Sequence, residues 1–300
     1  MFDRVKLIKR LSVLSFITVC LTYLVIGVGA FTRLSHAGLG CPDWPGCYGY
    51  LVVPKDKSTL QNINLNYSAT PIHVKKAQTE MGHRYLAGLL GVLMISVAVL
   101  CVMTARTAGF EYLIFASLLF LLLIYQVFLG MWTVTLKLSP WIVMQHLLVG
   151  MTILSLLWLI YLCSRQTHHA VAKINFTRTF RLLAAFSLIM LVLQVILGVW
   201  TSSHYVGLLY AGVSAVHRWG ALIVGCALFS LFLSIQIQYR SDRVLSKISW
   251  YLLFFLCVQI LLGALNVIFQ LPLFLAIAHN LIASMILLIM VTINYYINCG

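Results

Sequence analysis

Apolar positions in this chain fall into eight long runs, at roughly 11–31, 79–104, 111–134, 141–163, 180–202, 211–237, 247–270 and 272–297. Each is close to or above the ~20 residues that cross a bilayer core. Backbone polar groups in lipid have to be satisfied within the chain, so the runs predict helices rather than strands. The predicted fold class is an all-α integral membrane protein, its eight transmembrane helices forming two pseudo-symmetric four-helix bundles. The first run is too long for a leader peptide, and no small-residue cleavage pattern follows it in VGAFTRLSHAGLG. It reads as a retained helix.

The polar stretches between runs are short, with one exception. Residues 32–78 form a loop with Pro42, Pro45, Pro54 and Pro71, several glycines and the polar run STLQNINLNYS. A loop of this length is usually functional or disordered. The connection at about 164–179 divides the chain into an N-terminal half, 1–164, and a C-terminal half, 165–300.

The halves repeat. YQVFLGMWT (125–133), LQVILGVWT (193–201) and VQILLGALN (258–266) are three copies of one helix motif. Gln126 precedes His146 by 20 residues, and Gln259 precedes His279 by 20. Such regular spacing points to duplication of a four-helix unit. The Gln-x-x-Leu-Gly pattern has two readings. Glycine permits close helix approach and glutamine bridges helices, or the glutamine touches a cofactor.

Composition narrows the function. Hydrophobic residues are 62% of the chain and charged residues 9%, with a net charge of +14. That charge does not indicate a nucleic-acid partner, because it sits mostly in short connections. Twelve bases (Arg4, Lys6, Lys9, Arg10, Arg106, Arg165, Lys173, Arg178, Arg181, Arg240, Arg243 and Lys247) lie at the N-terminus and in the even connections. The odd connections hold Arg33, Lys55, Lys57, Lys75, Lys76 and Lys137, five of the six in the long loop. The positive-inside rule then places both termini in the cytoplasm and the long loop outside. The same bases attract anionic membrane lipid weakly.

Histidines supply the candidate chemistry. His83 and His146 are 63 residues apart, and His217 and His279 are 62 apart. MGHRYLAGLL around His83 resembles AVHRWGALIV around His217. All four fall in the first two turns or so of their runs, level with one another in the outer half of the membrane. A lone intramembrane histidine reads as an interhelical hydrogen bond, whereas four at repeat positions read as function. Two ligands per half are too few for zinc, which takes three or four from protein. They suit haem, whose porphyrin supplies the other four nitrogens.

Glu80 is one of only six acidic residues and lies three before His83, on the same helix face. The matching position before His217 is Ser214. This asymmetry fits chemistry at the first site and electron storage or relay at the second. The alternative is a carboxylate placed at a helix N-terminus for its dipole. Arg84 and Arg218 follow the first histidine of each pair, and suit either a haem propionate or the membrane interface. Cys41 and Cys47 flank CPDWPGC in the outer loop, where an oxidising environment favours a disulfide. Cys20, Cys101, Cys163, Cys226, Cys257 and Cys299 read as apolar packing. His36, His73, His168, His169 and His204 lack repeat partners and read as solvated or interfacial.

With these residues in view, the chain resembles the haem A synthase family, in its bacterial type with one cysteine pair in the first outer loop. GAFTRLSHAGLGCPDWPGC, EMGHRYLAG, MQHLLVG, VHRWGAL and IAHNLIAS carry the resemblance in order over nearly the whole chain. It implies oxidation of the C8 methyl of haem o to a formyl group, giving haem A for terminal oxidases of the inner (plasma) membrane. It also implies that His217 and His279 hold haem b, that His83 and His146 address the substrate haem o, that Glu80 is required for activity, and that Cys41 and Cys47 take part in function. Implied partners are a haem O synthase and a membrane electron acceptor or donor. Some members carry a second cysteine pair between the fifth and sixth helices, whereas SSHYVGLLY here has none.

Two other functions compete. A dihaem b-type electron carrier exchanging electrons with quinol has no need of an acid beside one iron. A transporter builds its site near mid-membrane on interrupted helices, and neither feature is present in these runs.

Overall fold

A computed structural model describes residues 2–166, 175–203 and 208–299. The described residues form nine helices and no named strand. They are α1 (Phe2–Leu34), α2 (Lys57–Asn66), α3 (Val74–Ala108), α4 (Glu111–Thr135), α5 (Pro140–Gln166), α6 (Arg178–Ser203), α7 (Leu208–Gln238), α8 (Arg243–Ile268) and α9 (Leu273–Cys299). All but α2 are long and apolar enough to cross a bilayer, the build of a multi-pass membrane protein. The eight predicted helices are therefore present, and the polar loop adds a ninth.

Two compact units divide the chain, Met1–Leu154 and Ser155–Gly300. In the first, α3 packs against both α1 and α4, and α4 meets the start of α5 through Gly130 and His146. In the second, α6, α7, α8 and α9 pack in a closed ring, each against two neighbours.

The outward faces are apolar. Phe120, Leu121, Leu222, Ile223 and Phe254 are all exposed. In water such a surface would be a liability, but hydrocarbon is its natural solvent. The inner faces instead carry small and hydroxylated residues, with Ser15, Thr18, Thr22, Thr104, Ser187, Ser249 and Ser284 buried. Small side chains let helices approach where no hydrophobic force separates protein from lipid. Polar bridges then join neighbours. The Ser187 hydroxyl donates to the Ala227 carbonyl at 3.4 Å. The Asn294 amide donates to the Ala184 carbonyl at 3.2 Å, and the Gln236 amide to the Ser249 hydroxyl at 2.8 Å.

Three helices end alike. The N–H of Ala37 reaches the Thr32 carbonyl at 2.9 Å, that of Leu138 the Thr133 carbonyl at 2.8 Å, and that of Leu271 the Asn266 carbonyl at 2.8 Å. The residue before each donor, His36, Lys137 or Gln270, takes a left-handed φ of 55°, 49° or 55°. This six-to-one closure satisfies a carbonyl left over at the helix end.

The segment between α1 and α3 is ordered, not the open loop its length suggested. Asp56 caps α2 by accepting the Thr59 N–H at 2.8 Å, as a residue of its type does at a helix start. The Thr59 hydroxyl and N–H hold the Asp56 carboxyl below the usual carboxylate range. Cys41, Cys47, Tyr48, Val53 and Ile63 are buried together against Ala77 and Met81 of α3. This small core sits on the outer flank of the helix that carries His83.

Candidate functional site

His83 is the tenth residue of α3, and His217 the tenth of α7. His146 is the seventh residue of α5, and His279 the seventh of α9. The matched depth expected from the repeat is therefore present, although α3 and α7 start early enough to put their histidines in the third turn. His83 and His146 are within electrostatic reach of each other, as are His217 and His279.

Each imidazole rests on a glycine of the preceding membrane helix. A Cβ added at Gly29 would lie 2.9 Å from the Cε1 of His83, and one at Gly198 would lie 3.0 Å from the Cε1 of His217. The same distance is 3.3 Å for Gly263 and His279, and 3.5 Å for Gly130 and His146. Glycine is needed at these places for space, because a ring edge occupies the volume of its missing side chain. The repeat spacing in the sequence does not reveal Gly29. In α1 the copy reads VIGVGAFT, with valine where the others have glutamine, so only Gly29 and Thr32 survive from the motif.

The glutamines bridge helices, the packing reading of their pattern. Gln126 donates to the His146 carbonyl at 3.1 Å, and Gln194 to the His217 carbonyl at 2.8 Å. Gln194 Nε2 is also 3.0 Å from His217 Nδ1, and Gln259 Nε2 is 3.2 Å from His279 Nε2. The Nδ1 atoms of His83, His146 and His279 are buried without a hydrogen-bond partner among the described residues. His217 meets its glutamine through Nδ1, leaving Nε2. Three of the four rings thus keep a nitrogen without a hydrogen-bond partner among the described residues, which fits rings that would hold an iron porphyrin. Among the described residues no three His, Cys, Asp or Glu side chains gather as a metal site, so the donors come in pairs.

Glu80 is buried, only 4% exposed, and stands two turns into α3. That depth removes the helix-terminus explanation for it. One carboxylate oxygen accepts the backbone N–H of Cys41 at 3.0 Å, and the other pairs with Arg84. Arg84 also donates to the carbonyls of Asp43, Pro45 and Gly46. It is thus engaged by the loop as well as by Glu80, while Arg218 is exposed on α7. Ser214, at Glu80's place in the second unit, is buried. The charged pair therefore belongs to the first unit alone.

Cys41 and Cys47 form a disulfide with Cα atoms 4.8 Å apart. Asp43 closes the turn inside it, accepting the N–H groups of Tyr48 at 2.6 Å and Gly49 at 2.8 Å. Burial pushes the Tyr48 phenol up from its ordinary value, with Asp43 and Glu80 adding to the shift. Gly40 lets this loop lie on α3, since a Cβ there would come 2.6 Å from the Lys76 carbonyl carbon. The roles of Glu80 and Arg84 as loop anchors had no signal in the sequence beyond their i, i+4 spacing.

Of the other cysteines, Cys101 is buried in packing as expected. Cys20, Cys226 and Cys257 are exposed on outward faces, a correction to the packing role, because thiols are apolar enough to face hydrocarbon. The Cys299 side chain lies outside the described residues. His36 and His73 are exposed, in keeping with a solvated role. His168, His169 and His204 lie outside the described residues, as does the middle of the cysteine-free connection between α6 and α7.

The cytochrome oxidase assembly protein family matches residues 12–291. This chain belongs to that family. It is similar to the heme A synthase of Shewanella oneidensis, 37% identical over 328 residues that cover 96% of this chain and 97% of the relative. The heme A synthase of Wolbachia pipientis wMel is 23% identical over 91% of this chain and 88% of its own length. That of Lysinibacillus sphaericus is 28% identical over 57% of this chain and 50% of its own.

Proposed function

We propose that the chain is a haem A synthase, a membrane oxidoreductase that converts the C8 methyl group of haem o to a formyl group. The observation that carries this reading is the two pairs of histidines, each ring seated on a glycine and three of them with a nitrogen unpartnered among the described residues, in a member of this family. The full-length similarity to a heme A synthase supports it.

In this reading His217 and His279 hold haem b, and His83 and His146 take the iron of the substrate haem o. Haem b, when bound, supplies one-electron transfer. The remaining work falls to the chain. Turning a methyl into a formyl group adds one oxygen atom and, counted with water as its source, removes four electrons, which go to the membrane acceptor, and four protons. Glu80, three residues from His83, is the carboxylate placed to hold or move one of them. Its partners Cys41 and Arg84 fix its two oxygens, so the acid is held in place for the reaction rather than having to be ordered during it. The halves 1–164 and 165–300 take the substrate site and the haem b site respectively. The termini lie on the cytoplasmic side of the inner membrane and the cysteine loop outside. A haem O synthase supplies substrate, and a membrane electron acceptor or donor completes the cycle.

The test is pigment extraction from cells that make haem o, with and without the chain, and from the purified protein, with mass analysis of haems b, o and A. Haem A made only with the chain, and haem b retained on it, is the expected result. Two equivalents of haem b with no conversion of haem o would instead mark a dihaem electron carrier.

A further inference from the structure

The four glycines that seat the histidines are each preceded, one helical turn earlier, by a residue on the same helix face. That residue is Gln126 before Gly130, Gln194 before Gly198, Gln259 before Gly263, and Val25 before Gly29. The four do different things. Gln194 and Gln259 reach ring nitrogens, at 3.0 Å from His217 Nδ1 and 3.2 Å from His279 Nε2. Gln126 stops at the backbone, bonding the His146 carbonyl at 3.1 Å and leaving His146 Nδ1 without a partner. Val25 is buried and has no amide, and His83 Nδ1 is likewise unpartnered. Both rings of the second unit are therefore held by an amide, and neither ring of the first unit is.

We propose that this difference sets which site keeps its haem and which lets haem pass: Gln194 and Gln259 are positioning residues for a resident haem, and Val25 with the backbone-bound Gln126 leaves an exchangeable site. The inference rests on the functional reading above and extends it to residues outside the ligand set. Physically, a histidine ligand whose second nitrogen is engaged has its ring orientation fixed, and loss of such a partner typically weakens metal binding about 10–100-fold. The Oε1 atoms of Gln126, Gln194 and Gln259 are all buried and unpartnered among the described residues, but only the amides of Gln194 and Gln259 stand within reach of a ring nitrogen. An enzyme whose substrate and product are both haems needs the opposite at its working site. There, tight ring restraint would slow release of each product molecule.

The experiment uses the full-length detergent-purified protein and excess apomyoglobin as haem acceptor. Transfer of haem b is followed optically, and the low-spin ferric signal by electron paramagnetic resonance. Gln194→Leu and Gln259→Leu are expected to lose haem b about tenfold faster than wild type or more, with a shifted or broadened low-spin signal that a packing role alone would not produce. Gln126→Leu should match wild type in both. If a leucine variant does not insert, methionine at the same position keeps a flexible chain of similar length without the amide. Unchanged haem b loss and signal in the Gln194 and Gln259 variants overturns the inference alone. So does equal acceleration by Gln126→Leu. A wild-type protein that carries no haem b, or keeps it after His217→Ala, overturns the functional reading and this inference together.

Discussion

The backbone N–H of Cys41 donates to Glu80 at 3.0 Å, which ties the cysteine loop to the acid that stands three residues before His83. The same carboxylate pairs with Arg84, and Arg84 gathers three loop carbonyls. Glu80 is thus both the nearest acid to a candidate iron ligand and the anchor of the loop beside it. A structural role and a chemical role have to be separated by experiment.

Glu80→Gln separates them. Glutamine keeps the shape and an acceptor for Cys41 but removes the charge. The expected cost to the loop is about 1–2 kcal/mol, the difference between charged and neutral hydrogen bonds. Haem A output is expected to fall by about 100-fold or more, the usual contribution of a positioned proton-transfer group. Haem b should stay bound. Mass analysis of extracted haems checks all three, and normal haem A output from stably inserted protein would remove Glu80 from the chemistry.

Cys41 and Cys47 are expected to resist thiol labelling in membranes until a reductant is added, and to label together afterwards. Replacing both with alanine should destabilise the loop by about 2 kcal/mol, from the closure entropy of so short a ring. Protease nicking between residues 41 and 56 should rise. Full labelling of either thiol in correctly inserted, unreduced protein would contradict the pairing.

His217→Ala and His279→Ala are each expected to abolish retained haem b and its low-spin spectrum, since one axial ligand does not make a six-coordinate iron. His83→Ala and His146→Ala should keep that spectrum and lose haem A production. Optical spectra of the four purified variants decide the assignment of pairs.

The glycine seats give a prediction that needs no change at a ligand. A methyl at Gly29 meets the His83 ring at 2.9 Å, and one at Gly198 meets the His217 ring at 3.0 Å. In both cases the ring must move by a few tenths of an ångström. Gly29→Ala should lower haem A output and leave the haem b spectrum alone. Gly198→Ala should shift the haem b spectrum. The reverse pattern would mean that the two pairs have been assigned the wrong way round.

Much of this was legible in the chain itself. Eight apolar runs gave eight membrane helices, because length and hydropathy decide that question with little help from tertiary context. His83, His146, His217 and His279 stood out because charge-bearing rings are rare at that depth. Other features had no such signal. The α1 copy of the motif lost its glutamine, so Gly29 is recognisable only by the ring packed on it. Glu80 and Arg84 act through a loop 38 to 41 residues upstream that returns to them (Gly46 to Arg84, Asp43 to Arg84), and sequence spacing does not report such a return. Short α2 was hidden because only Leu60, Ile63 and Leu65 of its ten residues are apolar, too few for a clear stripe, and its Asp56 cap resembles any turn.

The recurring helix end has one more consequence. In α1, α4 and α8 the left-handed residue falls seven positions after the ring-seating glycine: Gly29 and His36, Gly130 and Lys137, Gly263 and Gln270. The smallest recurring module is therefore a hairpin: a glycine helix, a fixed reversal and a histidine helix. Two of the reversals lead into the next helix within a few residues, at Pro140 and Leu273. The first instead opens into the cysteine-bearing segment before Val74. The loop partners of Glu80 and Arg84 entered at that one joint, by lengthening a turn. Trimming residues 38–72 to a short reversal should then yield a chain that still assembles but whose Glu80 and Arg84 have lost their loop partners.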